Sequence, residues 1–317
     1  MSTVNADAYL DPAALARLGA FELRARMVVE GIRSGLHKSP YFGFSVEFAQ
    51  HRQYVQGDDL RHLDWKVFGR SDKLHIKQFE QETNLDVLLL VDASGSMGYG
   101  SLAAKNTETG RSVWTKFDYA ITLAAALSYL ALHQQDRVGL SIFSENVSGA
   151  VTRSSAMTHW RQIVATLAAQ RPSDKPTRIG KGIDGLLTRL HNRAVVVLIS
   201  DLFDDIESIR AGFARLRHRG HDLLVLQVLD REELRFDFRT PAPFEGFESE
   251  GMLRLDPRAL RKAYLEAIEG HCRKIQHLAR GFGFDYARFD SHESLGPALS
   301  YFLARRNASG RTKGRLG

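Results

Sequence analysis

Unbroken apolar runs alternate with helical spacings from Leu85 onward. Asp86-Val-Leu-Leu-Leu-Val-Asp92 is apolar between its two acids and ends in a Gly/Ser turn. A run this short and continuous suits a strand covered on both faces. Lys116 to His133 is rich in Ala and Leu at helical spacing, and Asp136 to Ser144 predicts a strand that turns at Ser144–Val147 into another short one. Helical patterns follow at Met157–Ala169 and Gly180–Leu190, and then the most apolar strand, Arg193–Asp201. The series closes with a helix at Ile206–Arg219, a strand at Asp222–Leu229, a helix at Pro257–Arg280, a strand at Phe284–Phe289 and a helix at Leu295–Leu303. This alternation predicts an α/β fold of the Rossmann-like kind, a mostly parallel sheet with helices on both faces. In such sheets ligands bind beyond the carboxyl ends of the strands, where strand order reverses, which directs attention to the residues after Val91 and Ser200.

Two segments depart from the alternation. Phe244 to Leu255 suggests an added β-hairpin, and Met1 to Asn84 opens with a helical pattern at Pro12–Arg33 and continues without clear period. The expected organisation is an N-terminal flanking segment (1–84), an α/β domain (85–304) and a basic, flexible tail (305–317). The formal net charge is +6, and the tail holds Arg305, Arg306, Arg311, Lys313 and Arg315 with no acid, so the remaining chain is close to neutral. This distribution favours a solvated terminus over a nucleic-acid or anionic-membrane surface. Cys272 stands alone, which excludes an intrachain disulfide. The start of the chain lacks signal-peptide character, and no segment reaches the roughly 18 apolar residues of a membrane span. Phe117–Leu132 comes nearest but is interrupted by Asp118, Thr122 and Ser128, and reads as a buried helix. A cytoplasmic protein is expected.

The run Val91-Asp92-Ala93-Ser94-Gly95-Ser96-Met97 carries the strongest chemical signal. An aspartate leaves the end of a buried strand and two hydroxyls follow at alternating positions, so a tight turn points three oxygens at one spot. Hard cations such as Mg²⁺ take oxygen ligands in an octahedral shell. Asp201 is expected at the end of a second central strand, on the same edge of the sheet, and two neighbouring carboxylates repel unless a cation or a proton intervenes.

This pattern resembles the metal-ion-dependent adhesion site of von Willebrand factor A (vWA) domains. Asp92, Ser94 and Ser96 match the family's Asp-x-Ser-x-Ser loop, Thr177 matches its separate loop threonine, with Ser173 in the same loop, and Asp201 matches its later strand-end aspartate. A second resemblance covers Tyr41 to Arg305. Tyr54-Val-Gln-Gly-Asp-Asp-Leu-Arg-His-Leu-Asp-Trp65, Leu74-His-Ile-Lys-Gln-Phe-Glu80, Asp136-Arg-Val-Gly-Leu140 and the hairpin before Asp256-Pro257 are similar to the domain-of-unknown-function 58 family (DUF58). The resemblances imply one Mg²⁺ or Mn²⁺ on Asp92, Ser94, Ser96, Thr177 and Asp201, an acidic side chain from a protein partner completing its shell, and a MoxR-type AAA+ ATPase as that partner. Many DUF58 members carry N-terminal membrane helices, which this sequence lacks.

Other readings stay open beside a non-enzymatic interaction module. A Mg²⁺-dependent hydrolase such as a phosphatase would need a base, for which His218, His221 and Asp204 are candidates. A structural scaffold would leave the ion site empty. Tyr54–Trp65 suits either a partner surface or salt bridges among Arg61, Asp58 and Asp64 around a packed Trp65, and the role of the polar loop Gly98–Thr115 is open. His37, His51, His62 and His75 match no zinc spacing. Gly95–Gly100 lacks the Gly-Lys-Ser/Thr of a phosphate loop, and Ser96 is not flanked as a nucleophile elbow requires.

Overall fold

A computed structural model describes residues 11–16, 21–36, 48–54, 65–71, 73–79, 85–103, 113–190, 192–238, 242–245, 252–255 and 257–302. In chain order the elements are α1 (Pro12–Ala16), α2 (Phe21–Leu36), β1 (Phe48–Gln53), α3 (Trp65–Ser71), β2 (His75–Phe79) and β3 (Asp86–Asp92). A 3-10 turn at Ser96–Gly98 leads to β4 (Leu102–Ala103), β5 (Val113–Trp114), α4 (Lys116–His133), β6 (Arg137–Phe143), β7 (Val147–Ser154) and α5 (His159–Ala168). Then come α6 (Ile179–Leu187), β8 (Val195–Ser200), α7 (Ile206–His218), β9 (Asp222–Leu229), α8 (Arg231–Arg235), β10 (Ala242–Glu245), β11 (Met252–Leu255), α9 (Pro257–Gly281) and β12 (Asp285–Asp290), followed by a helix over 296–302.

The central sheet has six strands in the order β12-β9-β8-β3-β6-β7. All neighbours are parallel except β6 and β7, which a tight turn joins as an antiparallel edge pair. The unbroken apolar strands are explained by the two cores. Val87, Leu89 and Val91 of β3 face the cluster formed with α2, α4 and α5, and Leu88 and Leu90 face the cluster formed with α6, α7 and α9. Successive side chains point to opposite faces of a strand, so a sheet covered twice needs apolar residues at every position. This is an α/β fold, a mostly parallel sheet with helices packed on both faces. The apolar face of α1 and α2, with Leu15, Phe21 and Val28, is part of the first core, and Arg24 pairs with Asp118 of α4 at 2.9 Å.

The hairpin expected at Phe244–Leu255 is β10–β11, paired antiparallel. The stretch without clear period contains β1 and β2, an antiparallel pair, with α3 between them. Residues 55–64 of the Tyr54–Trp65 signature lie outside the described residues, as do His37, His62, residues 104–112 and the basic tail. Trp65 is 66% exposed and meets Phe68 edge-on.

Packing is close where α6 crosses the sheet. A Cβ on Gly182 would stand 2.6 Å from the ring of Phe143, which is fully buried. Gly182→Ala is therefore expected to destabilise the chain by about 1–3 kcal/mol in urea denaturation, because overpacking outweighs the helix propensity gained. An unchanged or raised midpoint would show that Phe143 has room to move.

Candidate metal centre

β3 lies between β6, the next strand of this sheet in sequence, on one side and β8 on the other, so the strand order reverses at its carboxyl end. Asp92 is the last residue of β3 and is fully buried. Its Oδ1 accepts the Ser94 N–H at 2.9 Å and its Oδ2 accepts the Ser200 hydroxyl at 2.6 Å. Ala93 O accepts the N–H of Ser173 at 2.8 Å and its hydroxyl at 3.1 Å, and Gly95 N–H donates to Lys175 O at 3.1 Å. These bonds stitch the loop before α6 onto the Asp92 loop. Ser173 thereby spends its hydroxyl on backbone, and Thr177 is the residue that faces the turn. Thr177 Oγ1 donates to Ser94 Oγ at 2.7 Å, and Ser94 Oγ lies 3.2 Å from Ser96 Oγ.

These separations suit a hard cation. Adjacent ligands of an octahedral Mg²⁺ shell lie about 3.0 Å apart, given metal–oxygen distances of about 2.1 Å. The Ser94–Ser96 and Thr177–Ser94 spacings bracket that value. Asp92 adds a carboxylate that also interacts with the Ser94 hydroxyl. Burial, and after it the charge of Asp201, push the Asp92 carboxyl up to about 7. A buried carboxylate favours its neutral form unless a cation accompanies it, and oxygen donors at ligand spacing stand beside Asp92. Among the described residues no group of three or more His, Cys, Asp or Glu side chains is placed to hold a metal. The candidate centre depends instead on hydroxyls and two acids.

Asp201 follows β8 and is fully buried beside this cluster. Its Oδ1 accepts the Phe203 N–H at 3.2 Å, and its main-chain oxygen accepts Gln227 Nε2 at 2.8 Å. The next residue, Leu202, holds a left-handed φ of 63°, pinned by its N–H to Ser200 Oγ at 2.9 Å. A branched side chain rarely adopts this conformation, and here it turns the chain sharply after Asp201.

The unexpected neighbour is Lys116. Its Nζ donates to Asp201 Oδ2 at 2.8 Å and to Glu233 Oε1 at 2.6 Å, with no exposure of the lysine side chain. The rings of Phe203 and Tyr99 lie 5.0 and 6.0 Å from the ammonium. Burial alone would lower its proton affinity, but Asp201 and Glu233 outweigh burial and raise it, so the group stays charged. Burial raises the Glu233 carboxyl despite the opposing pull of Lys116. Asp201 is thus the group shared between the Asp92 cluster and the lysine.

Lys116 and Glu233 were not among the expected site residues, although both left a trace in the sequence. Lys116 is the first residue of α4, after the N-cap Thr115. A cation there opposes the helix dipole, which signals a buried acidic partner. Asp230-Arg-Glu-Glu233 has the spacing of a capping box, and Asp230 and Glu233 form one in starting the short helix α8. The three candidate bases stand elsewhere or are engaged. Asp204 accepts the Ile179 N–H at 2.8 Å at the start of α6. His218 ends α7, and His221 precedes β9, at the opposite edge of the parallel sheet from Asp92. Among the described residues no helix is long and apolar enough to cross a membrane.

The family model described as "Protein of unknown function DUF58" matches residues 50–274. The uncharacterized protein Rv1480 of Mycobacterium tuberculosis is 28% identical over 281 residues, covering 86% of this chain and 83% of its own. The uncharacterized protein Mb1516 of Mycobacterium bovis is 28% identical over the same length and coverage. Among solved structures, BatB from Bacteroides thetaiotaomicron is similar with a TM-score of 0.45 and 19% identity, covering 72% of this chain and 99% of its own. The SpRpn10 VWA domain is similar with a TM-score of 0.40 and 12% identity, covering 71% and 95%.

Proposed function

Starting from the fact that this chain belongs to the DUF58 family, we propose that it is a divalent-cation-dependent protein-interaction module. Its ion, Mg²⁺ or Mn²⁺, is held by Asp92, Ser94, Ser96 and Thr177, with Asp201 beside them. The observation that carries this reading is the convergence of the Ser94, Ser96 and Thr177 hydroxyls, at 2.7 and 3.2 Å, next to the fully buried Asp92 carboxylate. The resemblance of the Asp92, Ser94, Ser96, Thr177 and Asp201 pattern to the ion site of vWA domains supports an interaction role. Neutral hydroxyls leave most of the ion's charge available, so an acidic side chain of a partner is a fitting further ligand. In this reading the chain is not an enzyme, and the partner implied by the family resemblance is a MoxR-type AAA+ ATPase.

The Lys116–Asp201 pair favours one second reading, a scaffold in which the ammonium replaces the ion. The charges weigh against it. Asp92, Asp201 and Glu233 bring three acids into one region with little or no exposure, where Lys116 supplies one cation. A divalent ion fits that imbalance better than the lysine alone.

Calorimetric titration of the full chain with Mg²⁺ and Mn²⁺ separates the readings. Saturable binding at one site per chain is expected, and a flat titration favours the scaffold. Capture of the MoxR-type ATPase from the native host is expected to fall at least about tenfold in EDTA and to return with Mg²⁺, as a shared ion ligand requires. Capture that ignores EDTA places the contact on another surface.

A further inference from the structure

We propose that Lys116 sets the cation affinity of this site: held from behind by Glu233, its ammonium engages Asp201 Oδ2 and leaves Asp92 as the carboxylate that meets the ion with its charge uncompensated. The inference rests on the ion-site reading above and adds to it a positioning residue that limits how tightly the ion is bound.

Several observations converge on this role. The ammonium is fully buried, and its two acidic partners lie at 2.8 and 2.6 Å. Its backbone is fixed as well, because the Lys116 N–H donates to Tyr99 O at 2.8 Å at the start of α4. Tyr99 and Phe203 stand over the ammonium, and the lysine side chain has no exposure. Glu233 is held in turn, since its Oε2 accepts the Asp230 N–H at 2.8 Å. Asp230 is anchored by the Ser101 N–H at 3.1 Å and the Ser291 hydroxyl at 2.9 Å. The result is a positive charge held on one oxygen of a carboxylate that neighbours Asp92.

A fixed ammonium in a low-dielectric interior repels a divalent cation a few ångströms away. It also neutralises the acid that would otherwise attract that cation most after Asp92. A lysine that opposes the dipole of its own helix, and loses its hydration as well, is a costly way to fill space. Tuning the charge of the site accounts for that cost, and simple packing does not.

The test is Mn²⁺ binding by the full chain, read from the electron paramagnetic resonance of free Mn²⁺ and by Mg²⁺ calorimetry. The variants are Lys116→Met, Lys116→Arg and Glu233→Gln. Lys116→Met is expected to bind at least about tenfold more tightly, because two acids are released and a positive charge is removed. Glu233→Gln, which keeps the capping-box pattern, is expected to bind roughly three- to tenfold more weakly, because Lys116 then bears wholly on Asp201. Lys116→Arg is expected to stay near the parent. Shifts in opposite directions do not come from loosened packing, which would weaken both variants. Equal affinities, or weakening in both Lys116→Met and Glu233→Gln, overturn the role of Lys116 while leaving the ion site standing. Should Lys116→Met fail to fold, Glu233→Gln at parental affinity overturns it alone. If the parent binds no ion, the ion-site reading falls and this inference falls with it.

Discussion

An Asp92→Asn protein is expected to keep its fold and to bind Mg²⁺ or Mn²⁺ at least about 100-fold more weakly than the parent, a loss of about 2.7 kcal/mol. Hard cations depend on charged oxygen, and among the described residues Asp92 is the carboxylate bonded within the Ser94–Ser96 turn. The amide oxygen still accepts the Ser94 N–H, so the loop keeps its shape. Without divalent ions the same substitution removes a liability. The Asp92 carboxyl is pushed up to about 7 by burial and by Asp201, above its ordinary value of 3.8. The native state therefore holds the proton more tightly than the unfolded chain. The stability this provides is complete below about pH 4 and is lost as the pH rises through about 7. Melting of the ion-free parent is expected to fall between pH 5 and 8, and Asp92→Asn is expected to flatten that fall. Addition of Mg²⁺ is expected to stabilise the parent more at pH 8 than at pH 6, because the ion then displaces no proton. Parental Mn²⁺ affinity in Asp92→Asn would move the ion elsewhere, and a collapsed circular dichroism spectrum would make Asp92 structural.

Lys116→Met is expected to lower the stability of the ion-free chain by about 3–5 kcal/mol in urea denaturation. The methionine fills the same volume, so the loss is electrostatic. Asp201 and Glu233 are left with little or no exposure and without the ammonium that now holds both. Breaking one side of a buried pair costs more than the pair contributes, since the remaining charge has neither partner nor water. Glu233→Gln in the same chain is expected to restore part of the loss by removing one of the stranded acids. Mg²⁺ is expected to restore part of it as well, by supplying the missing positive charge near Asp201. A loss below about 1 kcal/mol would be typical of a solvated pair and would contradict the buried network.

Much of the fold was legible because the signals are local. The α4 helix at Lys116–His133 and the strands β3 and β9 have the bounds expected from hydrophobic period alone. A sheet buried on both faces leaves an unbroken apolar run that competes with no other pattern. The short elements were harder. α8 spans Arg231–Arg235 and is set by a capping box rather than by a face, and β1 and β2 pair outside the main sheet. At Pro12–Arg33, α1 and α2 fall within or just beyond the expected helix, with residues 17–20 outside the described ones.

The order of strands and helices, the two-sided burial of β3 and β8, and the arrival of Asp92 and Asp201 at one sheet edge were determined by the sequence itself. Each follows from period, strand direction and turn chemistry within a few residues. The neighbours of those acids were decided only by the tertiary structure. Lys116 meets Asp201 across 85 positions and Glu233 across 117, and Thr177 meets Ser94 across 83. No local periodicity encodes such pairings. They arise when strand order, the reach of a loop and the angle of a helix start are fixed together, and a lysine's charge then acquires a meaning that its place in the chain does not reveal.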